Sequence, residues 1–276
     1  MVTFPNAKIN LGLDVVEKRP DGYHNLETLF YPIPLEDILE INTTKDADAP
    51  DCKFTMHNAV FEGDSNDNLV VKAYRILAVD HKLPKVEIAL YKNIPTGAGL
   101  GGGSADAAFT LKMLNEIASL GLSDDRLEEY AVQIGADCAF FIRNTPAYAT
   151  GIGNILTTTT CNIKGYTLVL VKPEIHISTK EAYSLICPEK PGTPLSEIIK
   201  LPIGQWKGVM KNDFEKSVFA AHPSMESIKE QLYAMGALYA SMSGSGSAFF
   251  GIFKEEVPVE KLEGHFPGMF CWSKKI

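Results

Sequence analysis

Residues 4 to 13 alternate, with Ala7, Ile9 and Leu11 on one face and Asn6, Lys8 and Asn10 on the other, the period of a half-buried strand. Pro20-Asp21-Gly22 then sets a turn, proline presetting φ and glycine accepting positive φ, so a hairpin partner is predicted from Tyr23 to Pro32. Leu35 to Thr43 reads as a third strand and Thr44 to Pro50 as a polar loop. Asn66-Asp67-Asn68 offers good N-cap types before LVVKAYRILAV, which predicts a helix from about Leu69. Val86 to Leu90 is a short apolar strand. From Ser104 the period becomes helical: Ala107, Ala108, Leu111, Leu114 and Ala118 share one face, and Lys112, Asn115 and Glu116 lie off it. Residues 121 to 134 predict another helix with Asp124 and Asp125 in its first turn, and Gly135 stands where a C-terminal cap residue is expected.

Beyond about Gly151 the pattern restarts. Tyr166 to Val171 is a buried-type strand, Ser178 to Ile186 begins like a capped helix, and Pro188 to Pro202 is rich in turn formers. A helix over Ser224 to Met235 precedes the strand ALYASM, the loop Ser243-Gly244-Ser245-Gly246-Ser247 and the strand AFFGIF; Lys254 to Leu262 and the residues from Met269 add a helix and a strand. The alternation predicts an α+β chain of two domains, residues 1–152 and 153–276.

Between the strand at Val86 and the helix after Ser104 lie five glycines in seven positions, Gly97 to Gly103. A strand, glycine loop and helix in that order aim several backbone N–H groups, and the positive end of a helix dipole, at one place. Gly97-Ala98-Gly99-Leu100-Gly101-Gly102 has the form of a dinucleotide fingerprint, but that needs a second parallel strand ending in an acidic residue about 20 positions on, and the chain continues there into a helix. A Walker A loop needs lysine before the Ser/Thr, and Gly103 precedes Ser104. A turn that merely lets strand and helix pack closely is the plain alternative; five glycines abutting a helix start favour an anion cradle.

The chain has 276 residues, 45% of them hydrophobic, which suits one large or two ordinary core-forming domains. Net charge of −8 argues against a nucleic-acid scaffold. The five cysteines are odd in number and lack Cys-x-x-Cys spacing, so no disulfide framework or zinc site is expected. No apolar run approaches the ~18 residues of a membrane span and no leader h-region opens the chain. A soluble, cytoplasmic protein with no membrane or nucleic-acid partner is expected, a monomer or weak homodimer.

Three separated stretches, PNAKINLGLDVVEKRPDGYHNLET, PTGAGLGGGSADAA and MSGSGSAFFGIF, resemble the signature motifs of the galactokinase, homoserine kinase, mevalonate kinase and phosphomevalonate kinase superfamily. Lys8-x-Asn10, Asp21-Gly22-Tyr23-His24, the ending Gly101-Gly102-Gly103-Ser104 and Gly135-Ala136-Asp137 narrow the likeness to the branch acting on cytidylyl-diphosphate methylerythritol in non-mevalonate isoprenoid biosynthesis. Cys138-Ala139 stands where that branch usually has Val-Pro.

The resemblance implies an N-terminal ATP-binding domain like the second domain of ribosomal protein S5, a C-terminal ferredoxin-like α/β plait for substrate, and an active site in the cleft between them. It implies ATP as co-substrate and Mg²⁺, without marking a metal ligand. Lys8 and Asp137 are the implied catalytic pair; Asn10, Tyr23, His24, Thr179 and Tyr183 are implied to hold substrate. Asn68, Leu69, Lys92, Pro95, Gly97, Gly99, Leu100, Gly101, Gly102, Gly103 and Ser104 match the nucleotide-binding positions. On residue grounds alone, Lys8 and Asn10 also fit solvent-facing strand positions, Asn68 a plain N-cap, Asp106 a helix-dipole partner and Asp137 a turn former. A sibling kinase acting on homoserine or a mevalonate, and a non-catalytic nucleotide or sugar sensor, are the competing functions.

Overall fold

Pro5, which has no N–H to give a ladder, separates two opening strands, β1 (Val2–Thr3) and β2 (Asn6–Lys18). A computed structural model describes residues 1–59 and 64–276. After β2 come β3 (His24–Glu36), β4 (Ile38–Thr43), β5 (Cys52–His57), α1 (Leu69–Asp80), β6 (Val86–Tyr91), α2 (Gly102–Ile117), α3 (Asp124–Ile134) and α4 (Phe140–Arg143). The chain continues through β7 (Ala147–Thr150), β8 (Ile155–Thr158), β9 (Thr167–Lys172), α5 (Thr179–Ala182), α6 (Leu195–Ile198) and α7 (Phe214–Ala221). It closes with α8 (Pro223–Ala234), β10 (Tyr239–Met242), β11 (Phe249–Phe253), α9 (Val259–His265) and β12 (Phe270–Lys275). No helix among the described residues is long and apolar enough to cross a membrane.

Two compact units form, and neither is one continuous piece of chain. The first contains Met1–Ala7, Leu35–Thr96 and Gly101–Thr145; the second contains Lys8–Pro34, Gly97–Leu100 and Pro146–Ile276. The first holds the sheet β1-β4-β6-β5, in which β5 runs parallel to β6 and α1 makes the crossover. Leu39, Ile41, Val86, Ile88 and Leu90 of its strands are buried, as are Val70, Val71 and Leu77 of α1. Ala107, Ala108, Leu111 and Leu114 of α2 are fully buried as their spacing predicts, but so are Thr110 and Met113, because α2 packs against α1, α3, α4 and β4. Gly135 is the C-cap of α3, where a cap residue is expected, with φ −178°, an extended conformation open to any residue.

The second unit holds two four-stranded sheets, β2-β3-β7-β8 and β10-β11-β9-β12. Phe249, Phe253, Val169 and Val171 pack with Met225, Ile228 and Leu232 of α8 in its core. The expected helix from Ser178 to Ile186 is a single turn, Thr179–Ala182, after which the Tyr183 ring turns to His24 and Phe214.

One buried group in this unit gives a pH-dependent stability. Asp14 of β2 is 1% exposed, its Oδ1 accepts no hydrogen bond, and burial, with Asp213 adding, pushes its carboxyl up from 3.8 to about 6. The folded chain therefore binds this proton more tightly than the unfolded chain. The stability it contributes is fully present below pH 3.8 and is lost as pH rises through about 6. Asp14→Asn should flatten this slope, and the difference in Tm between variant and wild type should move in the variant's favour from pH 4 to pH 7 by roughly a few degrees. An unchanged difference across that range would show that Asp14 does not carry the effect.

Candidate active site

The polar face of β2 does not meet solvent. Lys8 and Asn10 are 3% and 2% exposed. Lys8 Nζ donates to Asn10 Oδ1 at 2.6 Å and to Gly99 O at 3.1 Å, and lies 5.0 Å from the Phe30 ring centroid. Asn10 Nδ2 donates to Thr28 Oγ1 at 2.8 Å, and Thr28 Oγ1 donates to Gly12 O at 2.6 Å. Alternation alone reads such positions as outward; here the second unit folds its own loops over them. A buried ammonium with acceptors arranged around it is a prepared cation, shielded from the solvent that would weaken its field.

The glycine loop is divided between the units. In the second unit, Gly97 and Gly99 have φ of +60° and +74°. Lys8 N donates to Leu100 O at 2.9 Å, Ala248 N to Ala98 O at 3.1 Å and Ser243 Oγ to Gly99 O at 2.9 Å. The Ser243–Ser247 loop is thus packed on the glycine loop rather than being a free turn. A Cβ on Gly99 would lie 2.0 Å from Ser243 O, and Gly97 has a Cβ position 2.8 Å from His176 Nδ1. Gly99→Ala should therefore lose roughly 2 kcal/mol or more from left-handed strain and backbone overlap. Gly103→Ala, whose Cβ would meet only Leu69 Cδ1 at 3.8 Å, should melt near wild type. Thermal denaturation of the two variants side by side checks this, and equal melting would sink it.

In the first unit Gly101 is the N-cap of α2, at φ +71°, so the helix starts two residues before Ser104. The first intrahelical bond runs from Ala105 N to Gly101 O, which leaves the amides of Gly102, Gly103 and Ser104 without a partner inside the helix. Gly102 is buried, Pro95 partly so, and Gly103 is exposed. A helix start with three backbone donors left over is a geometry that suits an anion.

Asp137 lies on the turn between α3 and α4, half-buried, beside Cys138 N, which donates to Gly135 O at 3.1 Å. The neighbouring Cys138 thiol is fully buried; burial pushes it up to about 12, against a hydrogen bond from the Ser104 hydroxyl. The buried thiol is therefore unreactive. Asn68 accepts Val70 N at 2.9 Å, the N-cap geometry of α1, with Leu69 following as its first residue.

Lys92 is held between two buried carboxylates: Nζ bonds Asp37 and, at 2.7 Å, Asp106. Asp37 Oδ1 also accepts Asn93 N and Ile94 N at 2.6 and 2.8 Å. Asp106 sits beyond the first turn of α2, so its 2.7 Å bond braces Lys92 instead of serving the helix dipole, while burial raises its carboxyl to about 7. Neither Asp37 nor this triad was legible; an acid inside the strand-like run LEDILEINT was the available signal.

At the other candidate subsite His24 and Tyr183 stack, centroids 4.7 Å apart and 21° between planes, while Tyr23 is 63% exposed. Burial, with Lys18 adding, holds the His24 ring below its usual value. The side chain of Thr179 lies outside the described residues. Among the described residues no group of three His, Cys, Asp or Glu is arranged to hold a metal ion.

Comparison with known proteins gives the family. The GHMP kinases N terminal domain matches residues 68–145, and the GHMP kinases C terminal domain matches residues 197–267. A Bacteroides fragilis protein named 4-diphosphocytidyl-2-C-methyl-D-erythritol kinase is 56% identical over 278 residues, covering 100% of both chains. A Parabacteroides distasonis protein of the same name is 52% identical, also covering 100% of both. A crystal structure of 4-(cytidine 5'-diphospho)-2C-methyl-D-erythritol kinase superposes with a TM-score of 0.82 at 30% identity, covering 99% of this chain and 98% of the other. With its two-domain α+β fold, its glycine loop and its full-length likeness to these proteins, this chain belongs to the 4-diphosphocytidyl-2-C-methyl-D-erythritol kinase family of the GHMP kinases.

Proposed function

We propose that the chain transfers the γ-phosphoryl group of ATP to the 2-hydroxyl of 4-diphosphocytidyl-2-C-methyl-D-erythritol, giving the 2-phosphate and ADP, in non-mevalonate isoprenoid precursor biosynthesis. The observation that carries this reading is the buried Lys8 ammonium on Gly99 O, in a chain 56% identical over its whole length to relatives of that name. The hydroxyl oxygen forms the new bond to phosphorus, the bridging oxygen leaves with ADP, and the hydroxyl proton passes to a base. The transition state is loose, so positioning and charge neutralisation contribute more than covalent help. The amides of Gly102, Gly103 and Ser104 are assigned to the phosphates, with Gly97, Gly99, Leu100 and Gly101 shaping the cradle. Lys8 offsets charge on the transferring group, Asn10 positions substrate, and Asp137 orients the hydroxyl and takes its proton.

Mg²⁺ supplies neutralisation of the β- and γ-phosphate charge when bound. Its fit to the chain is that of an ion carried by the nucleotide: Ser104 would hold it, and phosphate and water would complete its coordination. Tyr23, His24 and Tyr183 are assigned to the cytosine end, where Tyr183 already offers a stacking face to one ring. Residues 1–152 are assigned chiefly to ATP and 153–276 to substrate. An ADP-release assay with the cytidylyl substrate, run with and without Mg²⁺ beside mevalonate and homoserine, tests the reading. Turnover confined to mevalonate or homoserine would overturn it.

A further inference from the structure

The segment from Lys211 to Glu215 carries none of the family motifs, yet its side chains hold the Ser243–Ser247 loop. Asn212 is 3% exposed. Its Nδ2 donates to Met242 O and to Gly244 O, both at 2.8 Å, and its Oδ1 accepts from Phe214 N at 3.0 Å. An uncharged primary amide is the side-chain group that presents two donors and one acceptor in a single plane at this reach. Glu215 supports the same strand end, its Oε1 accepting Ser241 Oγ at 3.0 Å and Met242 N at 2.9 Å.

The two carbonyls that Asn212 holds flank Ser243. Ser243 Oγ donates to Gly99 O at 2.9 Å and accepts from Asn10 N at 3.2 Å. Gly99 O is also the acceptor of Lys8 Nζ. Gly244 comes so close that a Cβ there would lie 3.2 Å from Asn10 Oδ1 and 3.3 Å from Gly99 O. The segment also grips β2 directly: Leu13 N donates to Lys211 O and Asp213 N to Leu13 O, each at 2.9 Å, and Asp213 Oδ2 accepts Val15 N at 2.8 Å. One short segment therefore clamps the strand that carries Lys8 and Asn10, and the loop that caps them.

We propose that Asn212 is a positioning residue for phosphoryl transfer: by holding Met242 O and Gly244 O it seats Ser243 on Gly99 and Asn10, and through them sets where the Lys8 ammonium stands. This rests on the kinase reading above. Asn212 bonds neither Lys8 nor Gly99, so its loss acts by displacement, and a displacement of about 1 Å can cost up to 10²-fold in rate.

Asn212→Asp tests this with nearly unchanged shape. The carboxylate keeps the acceptor for Phe214 N but turns an oxygen toward two carbonyl oxygens, which repels both; once protonated it regains one O–H donor. Its kcat, per folded molecule by circular dichroism, should fall roughly 10–100-fold at pH 8.5 with a smaller change in KM for ATP. The ratio to wild type in the same buffers should climb several-fold on going to pH 6.0. Asn212→Ala should show the kcat loss with a ratio independent of pH, and Asn212→Ser, with one donor, should fall between Ala and wild type. A residue that only stabilises the fold would lower Tm and leave kcat per folded molecule at wild-type value. That result, or an Asn212→Asp ratio as flat as that of Asn212→Ala, overturns the proposal. Should Asn212→Asp not fold, the ordering of wild type, Ser and Ala in kcat decides. Wild-type protein is assayed first: failure to turn over the cytidylyl substrate counts against the kinase assignment, whereas turnover that Asn212 variants leave unchanged counts against the positioning role alone.

Discussion

Asp137→Ala is expected to lower phosphoryl transfer by about 10²–10⁴-fold, the usual contribution of a positioned proton acceptor, while the affinity for ATP stays within a few-fold of wild type. Asp137 sits on a tight turn whose next residue, Cys138, is fully buried and whose helix α4 begins with the packed rings of Phe140 and Phe141. The carboxylate is thus carried on a fixed backbone, as a group that must meet one hydroxyl requires. The groups assigned to the phosphates on Gly102, Gly103 and Ser104 are backbone N–H groups, which a side-chain substitution leaves in place, so nucleotide binding should survive. Asp137→Asn separates two roles. It keeps a hydrogen-bond acceptor for orientation but cannot take the proton, so in a loose transition state it should retain more activity than alanine. Single-turnover rates with the cytidylyl substrate, together with calorimetric binding of a non-hydrolysable ATP analogue, decide the matter. Turnover of Asp137→Ala within about threefold of wild type would remove Asp137 from the chemistry; equal loss of ATP binding would make its role structural.

What the sequence shows clearly is what local chemistry determines. The cap at Asn68, the turn at Gly22, the helical face of α2 and the glycine loop each follow from residue types within a few positions of one another. The family is carried by three motifs that stand far apart in the chain. The fate of polar residues in a strand was not legible. Lys8 and Asn10 read as outward by alternation, because nothing local says that Ser243 and Gly99 cover them from 91 and more positions away. The same limit hid Asp37 and Asp106, which brace Lys92 from separate elements, and Asn212, whose partners lie 30 and 32 residues on. Gly135 was legible as the cap of α3, though its extended φ of −178° does not itself require glycine. Strand β5 escaped notice because its burial alternates without strong apolar character at either end, its pairing with β6 being supplied by the crossover through α1.

Lys8→Met is the second large effect, with kcat expected to fall by about 10²–10³-fold, as when one fixed donor to a charge-bearing transition state is lost. Two consequences can be separated. The thioether roughly fills the space of the lysine stem over Phe30 but makes no bond to Asn10 Oδ1 or Gly99 O. Gly99 O keeps Ser243 Oγ, so its loss is partial. Losing the lysine bond to the buried Asn10 Oδ1 costs about 1–3 kcal/mol, offset by no longer desolvating an ammonium. Net stability should therefore change little while catalysis collapses, and that split marks a residue kept for its charge. Lys8→Arg should not rescue the rate: its charge sits on a planar fork longer than the ammonium, and the acceptors at 2.6 and 3.1 Å are placed for a compact head. Both variants are to be compared with wild type by kcat, by KM for ATP and by Tm. If Lys8→Met keeps kcat within about threefold, or if its lost activity follows its lost Tm, then the buried lysine serves the fold and some other group must meet the charge that develops on the phosphoryl oxygens.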